Sequence, residues 1–218
     1  MSLPSNVTVS NHALVASKVS LLRAESSSSV FVRHLVREIS LILAVEASGK
    51  VFTTKECGTG TSPLGVAFAK IGVEPADMCV VPVLRSGLEM TESFLTILPH
   101  NIPVHHIGIY REKSTLSPVE YYNKLPPTDT PPTTAFILDP IIATGGTADA
   151  TVNILREWGV KRIVFVSILA SEPGLRRVSE EHGDIEFIIG AVDGELNEKG
   201  YIVPGLGDIG DRLFHTFQ

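Results

Sequence analysis

Only two cysteines, Cys57 and Cys79, stand in 218 residues, and they fit no metal-binding spacing. That excludes a disulfide framework and makes a reducing compartment the default. Basic residues are also short: 18 Lys plus Arg face 24 Asp plus Glu, a net charge of −6. A broad nucleic-acid face needs a basic stripe, so none is expected. An anionic small ligand is still allowed, since it needs only local donors and one or two Arg. Long hydrophobic runs are missing, and nothing approaches the ~18 residues of a membrane span. The N-terminus lacks a charged segment followed by an apolar one, so a cytoplasmic protein without membrane partners is expected. No internal repeat occurs, and low complexity is confined to residues 26–29. No G-x-x-x-x-G-K-[ST] is present, which excludes a Walker loop.

What the chain has is apolar character: 44% of residues are hydrophobic and 19% charged, enough for a sizeable core. Residues 1–218 are read as a single domain. Apolar runs at 78–84, 104–110, 134–138, 162–169 and 186–192 read as strands. Helical periodicity covers 13–22, 30–47, 87–98, 148–158 and 173–182. In the second of these, Phe31, Leu35, Ile39, Ile42 and Leu43 fall near one face. A further helix is expected from Ser62, with Pro63 in its first turn and Gly72 at its end. Near-continuous apolar strands between amphipathic helices predict an α/β fold, a mostly parallel sheet with helices on both faces. Residues 112–123 break the rhythm and read as a mobile arm or hairpin. Cys79, in an apolar run, is expected to be buried. Cys57, in a Gly/Thr-rich loop, is expected to be exposed.

Four segments carry chemistry. In the first, an apolar run ends on Asp139 and passes through Pro140, Ile141 and Ile142 into Ala143-Thr144-Gly145-Gly146-Thr147, directly before a helix. Such a turn can aim backbone N–H groups at a phosphate, with the helix dipole adding attraction. Asp139 stands at the carboxyl end of its strand, where α/β sheets hold ligands. An ordinary Thr-capped turn is the plain alternative. In the second segment, Arg85 follows Val83-Leu84 and precedes Ser86-Gly87, where a strand becomes a helix. A cation there is poorly placed without an anion, and a guanidinium grips phosphate oxygens in pairs. In the third, Arg111 follows Ile109-Tyr110 at another strand end, though pairing with Glu112 would also account for it. The fourth runs from Gly200 to Arg212. Its Gly205, Gly207 and Gly210 spell G-x-G-x-x-G, but only eight residues follow Gly210, too few for a dinucleotide-binding unit. A glycine-dense loop instead offers backbone groups to a flat ligand. A C-terminal turn is the bland alternative.

These segments, in this order, resemble the uracil phosphoribosyltransferase family over residues 10–215. The matching pieces are Pro82 to Leu88, Gly108 to Arg111, Pro118 to Pro126, Leu138-Asp139-Pro140 with Ala143 to Thr147, and Gly200 to Arg212. The string Asp-Pro-x-x-Ala-Thr-Gly-Gly points to phosphoribosyltransferases, and Tyr-Ile-Val-Pro-Gly-Leu-Gly-Asp to the uracil branch. The resemblance implies a type I phosphoribosyltransferase-like fold with N-terminal helices and a C-terminal base-binding segment. It implies the reaction of uracil with 5-phosphoribosyl 1-diphosphate to give UMP and diphosphate, with Mg²⁺ as cofactor. Residues 143–147 would hold the 5-phosphate, beside Pro140, Ile141 and Ile142. Asp139 would accept from the ribose hydroxyls. Arg85 and Arg111 would hold the diphosphate. Tyr201, Ile202, Gly207 and Ile209 would meet the base, with Asp208 between base and ribose. Arg85, Arg111 and Asp208 are thus the expected catalytic residues, and no protein metal ligand is assigned. A homo-oligomer, dimer or tetramer, is expected, and some members of the family respond to GTP. Ser86 and Ile209 depart from the family, which usually has Ala at both. Two rivals remain: a regulator that keeps the substrate site and binds nucleic acid, and the degenerate domain attached to some uridine kinases. The acidic balance weighs against the first, and the missing P-loop against the second.

Overall fold

The computed structural model describes residues 3–99, 101–112, 117–127 and 129–216, and of Arg111 only the backbone. The chain begins with β1 (Val7–Val9), α1 (Ala13–Arg23) and α2 (Ser29–Val51). Ser28 caps α2, its side chain accepting from the Phe31 N–H. The helix buries Val32, Leu35, Val36, Ile39, Leu43 and Ala47, a stripe at helical spacing. Phe31, expected on that face, is 43% exposed and lies outside the stripe.

No helix forms from Ser62. Residues Thr53–Thr61 (β2) and Ala67–Glu74 (β3) pair antiparallel instead. Ala67, Ala69, Ile71 and Val73 alternate with Phe68, Lys70 and Gly72, a period of two. Thr and other β-branched residues on both strands favour the same outcome. Pro63 lies in the turn, where Gly65 has φ +78° and the Ser62 N–H donates to the Val66 carbonyl. Cys57, on β2, is exposed, and Cys79 is buried.

The remaining elements are β4 (Met78–Leu84), α3 (Leu88–Ile97), β5 (Ile107–Arg111), β6 (Pro118–Asn123), β7 (Thr134–Leu138), β8 (Ile141–Ile142), α4 (Gly146–Trp158), β9 (Arg162–Ser171), α5 (Glu172–Glu181) and β10 (Glu186–Asp193). The chain then continues through β11 (Glu195–Leu196), β12 (Ile202–Val203) and α6 (Ile209–Phe214). The main sheet runs β1-β10-β9-β7-β4-β5-β6, with β8 also on β9. Every pairing in it is parallel except β5 with β6. The expected arm is therefore a hairpin over its described part, and residues 113–116 lie outside the described residues.

Successive residues of a central strand serve opposite faces. Phe136 and Leu138 join one core with α1, α2, α3 and α6, while Ala135 and Ile137 join another with α4 and α5. Each fully buried Phe or Leu stabilises by roughly 1.5–3 kcal/mol. The chain leaves adjacent strands β4 and β7 in opposite directions, toward β5 and toward β9. That switch point is where an open α/β sheet has a crevice beyond its strand ends. Arg85 and Asp139 are the first residues past those two ends.

Candidate active site

A cavity of 290 Å³ opens at this crevice. Arg85, Asp139, Ile141, Ala143, Thr147, Tyr201, Ile202, Gly207, Asp208 and Ile209 all border it. The structure thus brings the β4 end, the β7 end and the C-terminal glycine-rich segment to one place. Ile142, Thr144 and Gly145 border an adjoining hollow of 130 Å³, which shares Ile141, Ala143 and Thr147 with the cavity. Pro140 and Gly146 border neither of these. The Pro140 carbonyl turns back to accept from the Ile168 and Leu169 N–H groups. Arg111 ends β5, next to Tyr110 on the cavity wall, and its side chain lies outside what is described.

The turn before α4 is shaped by close packing. Gly145 caps the helix at φ +82°, where a Cβ would stand 2.8 Å from the Gly174 carbonyl oxygen. From behind, Ser171 Oγ donates to the Ala143 carbonyl at 2.5 Å. A Cβ on Gly174 would lie 1.9 Å from the same oxygen. Gly145→Val is therefore expected to destabilise the fold itself, beyond any loss of ligand binding. A variant with wild-type Tm would contradict this. Gly87 has the same character, since its Cβ would lie 2.2 Å from the Leu138 carbonyl oxygen. This close approach seats the start of α3 against the end of β7.

Asp139 is 7% exposed, and its Oδ1 accepts only weakly from the Ile141 N–H at 3.4 Å. Burial raises its pKa to about 7, with the Ile141 contact opposing. A carboxyl so poorly satisfied suits ligand hydroxyls or a cation-bridged ligand. Arg85 is half exposed, with Nη2 3.6 Å from the Asp211 carboxylate and its guanidinium 5.8 Å from the Phe214 ring centre. The peptide between Leu84 and Arg85 is cis. Asp208 caps α6, its Oδ1 accepting from the Asp211 N–H at 3.0 Å.

Sequence reasoning missed the aromatic wall. Tyr110 and Tyr121 border the cavity from the β5–β6 hairpin, with ring centres 6.1 Å apart. Tyr121 lies over Gly108, whose Cβ would be 2.6 Å from the ring. The cue for Tyr121 was the tyrosine-rich stretch after Pro118, which had no strand partner in the sequence alone. Another cluster, Asp149, Glu181 and His182, brings three possible metal-ligating atoms within 4.8 Å of one another. His182 is already used on both ring nitrogens. Arg156 can only donate, so Nδ1 accepts from it at 2.8 Å, and Nε2–H donates to Asp149 at 2.9 Å. This ties α4 to α5 beneath the phosphate-sized turn.

A family profile described as uracil phosphoribosyltransferase matches residues 9–216. The chain belongs to the uracil phosphoribosyltransferase family. Among relatives, urg2 of Schizosaccharomyces pombe is 50% identical over 210 residues, covering 96% of this chain and 90% of that protein. A protein of Lachnoclostridium phytofermentans named uracil phosphoribosyltransferase is 42% identical, covering 97% of this chain and 99% of its own length. Among solved structures, the AQ2163 protein of Aquifex aeolicus superposes with TM-score 0.87 at 32% identity, covering 96% and 98% of the two chains. A hypoxanthine phosphoribosyltransferase of Staphylococcus aureus, 13% identical with TM-score 0.50 over 74% of each chain, shares the fold alone. Family membership and the mixed α/β architecture therefore agree with the reading from sequence. Among the described residues, no helix is long and apolar enough to cross a membrane.

Proposed function

We propose that this chain is one phosphoribosyltransferase domain that converts uracil and 5-phosphoribosyl 1-diphosphate to UMP and diphosphate. The observation that carries this reading is the cavity bordered by Arg85, Asp139, Ala143 and Thr147 of the turn before α4, and the glycine-rich segment. The 5-phosphate sits on the N–H groups of residues 143–147, at the N-terminus of α4. Asp139 accepts from the ribose hydroxyls. Arg85 and Arg111 hold the diphosphate. The bond from C1 to the diphosphate oxygen breaks, and its electron pair leaves with the diphosphate. Uracil N1 bonds to C1 and gives up its proton. Donors aimed at the departing charge contribute most to the rate. Asp208 stands between base and ribose, where a carboxylate stabilises the cationic ribose. Its cap hydrogen bond fixes the direction of that carboxylate.

Uracil carries no charge, so peptide groups of Ile202, Gly207 and Ile209 read its edge. Cytosine reverses the pattern at positions 3 and 4 and would leave buried groups mispaired, a discrimination of roughly 10⁴–10⁵. Mg²⁺ brought in with phosphoribosyl diphosphate would supply charge neutralisation, and the poorly satisfied Asp139 carboxylate fits such a charged ligand. Closure of the β5–β6 arm would keep water from the cationic centre. A reducing cytoplasm is the proposed location, in keeping with free Cys57 and Cys79. Formation of labelled UMP from labelled uracil, dependent on phosphoribosyl diphosphate, tests the reading. Purified protein that makes none belongs to one of the two rival classes.

Ile209 is 6% exposed and lies in the core with Leu206 and Leu213, as well as on the cavity border. Ile209→Ala should lower stability by about 2–5 kcal/mol. The ratio of kcat/KM for uracil and 5-fluorouracil should stay nearly unchanged. A shift beyond about tenfold, roughly 1.4 kcal/mol, would place the side chain against the base.

A homo-oligomer is supported by the β2–β3 hairpin. One of its faces carries Ala67, Ala69, Ile71 and Val73, and Ile71 is 58% exposed. A two-stranded hairpin alone is marginally stable in water, so this face needs a cover. The same chain offers Leu14, Leu21 and Val45 on the outer sides of α1 and α2, all about half exposed. A second copy can therefore supply the apolar surface. Sedimentation should show an oligomer that Ile71→Lys shifts toward monomer. A monomeric wild type, or an unshifted variant, would remove this assignment.

A further inference from the structure

The loop proposed to read the base is held from behind by two arginines that line none of the cavity. Arg212, on α6, is 8% exposed. Its Nη1 donates to the Leu206 carbonyl at 2.8 Å and to the Leu22 carbonyl at 2.5 Å. Its Nη2 donates to the Ala24 carbonyl at 2.7 Å. Among the described residues it pairs with no carboxylate. Arg23, the last residue of α1, grips Asp193 through both Nη atoms, at 2.7 and 2.6 Å. It also donates to the Gly205 carbonyl at 2.8 Å. Asp193 in turn accepts from the Gly205 N–H at 3.0 Å. Both peptide groups of Gly205, and the carbonyl of Leu206, are thereby fixed.

Packing alone does not explain this arrangement. A buried guanidinium without a carboxylate is costly, and a leucine or methionine would fill the same space among apolar neighbours. Some of that cost is offset by the Leu22 and Ala24 carbonyls at the end of α1, where a cation is favoured. The loop also lacks solid support at its rear. A second hollow of 370 Å³ lies there, bordered by Arg23, Pro204 and Arg212. Gly205 at φ +60° and Gly207 at φ +75° leave the loop many conformations unless something holds it. An uncharged base read by peptide groups demands close placement of those groups, within a fraction of an ångström.

We propose that Arg212, assisted by Arg23, is a positioning residue for base recognition, holding the 205–207 peptide groups at the angle that reads uracil. It never touches substrate. This rests on the reading of the glycine-rich segment as the base site. Uracil affinity and uracil-over-cytosine selectivity should therefore depend on Arg212, whereas phosphoribosyl diphosphate binding should not.

The test uses Arg212→Lys and Arg23→Lys in the full chain. A lysine keeps the charge but is a point donor that cannot serve a fork of carbonyls. Steady-state kinetics would give kcat and both KM values, with uracil and cytosine compared as acceptors. KM for uracil should rise by about tenfold or more, and the selectivity ratio should fall by about as much. KM for phosphoribosyl diphosphate should stay within about threefold. If both KM values rise together, or if selectivity is unchanged, the arginines are merely structural and the proposal falls. If Arg212→Lys does not fold, Arg23→Lys, whose side chain is one-quarter exposed, decides alone. A wild type that forms no UMP overturns the proposed function. Active wild type with unshifted variants overturns only this inference.

Discussion

Arg85→Ala is expected to lower kcat by about 10²–10³, the usual cost of removing a group aimed at developing transition-state charge. The protein should otherwise stay intact. The Arg85 side chain is half exposed, and its ion pair with Asp211 is long at 3.6 Å. Exposed pairs of this kind contribute about 0–1 kcal/mol. The contact with Phe214 adds little at such a site. Activity and stability therefore separate at this residue, which is the mark of a functional cation. The helix dipole opposes a positive charge at this place, because Arg85 lies just before α3. Loss of binding should fall on phosphoribosyl diphosphate, with uracil affinity little changed. A kcat within about threefold of wild type, under about 1 kcal/mol of barrier, would mean that Arg85 does not meet the diphosphate.

The cavity was legible in the sequence because its parts are local. An acid or an arginine at the end of an apolar strand, followed by glycine, announces a sheet edge without any knowledge of topology. Asp139 and Arg85 were found this way, and the parallel sheet supplied the rest by aligning strand ends. What escaped has no local signal. The Arg23 contact to Gly205 spans 182 residues, and the Arg212 contact to Leu22 spans 190. Tyr121 enters the site only because β6 pairs with β5 and lies over Gly108. The β2–β3 hairpin was misread because Pro63 and Gly72 mimic the start and stop of a helix. The alternation of Ala67, Ala69, Ile71 and Val73 was the stronger cue. All four of these side chains stay exposed in a single chain, so an apolar face turned to one core was not there to mark them. Edge strand β1 has only three residues, too few for any pattern to show.

Asp139→Asn should make the ligand-free protein more stable at pH 8 while abolishing most of its activity. Burial raises the Asp139 pKa from 3.8 to about 7. Between those values the folded state keeps a proton that the unfolded chain has released, so stability falls as pH rises through that window. Below about pH 4 both states are protonated and the cost vanishes. Above pH 7 the full cost remains, on the order of 4 kcal/mol at about 1.4 kcal/mol per pKa unit. Asparagine has the same shape as the protonated acid and never titrates. Its Tm should match wild type near pH 4 and exceed it by several degrees at pH 8. The carboxylate is nevertheless kept, which is expected if ribose hydroxyls and a bridging cation satisfy it once substrate binds. Substrate should then pull the pKa back down and release a proton near neutral pH. Calorimetry of phosphoribosyl diphosphate binding, in buffers of different ionisation enthalpy, would detect that proton for wild type and not for Asp139→Asn. An Asn variant less stable than wild type at pH 8 would show that the carboxylate is satisfied within the protein. Its place at the cavity would then be incidental to the ribose.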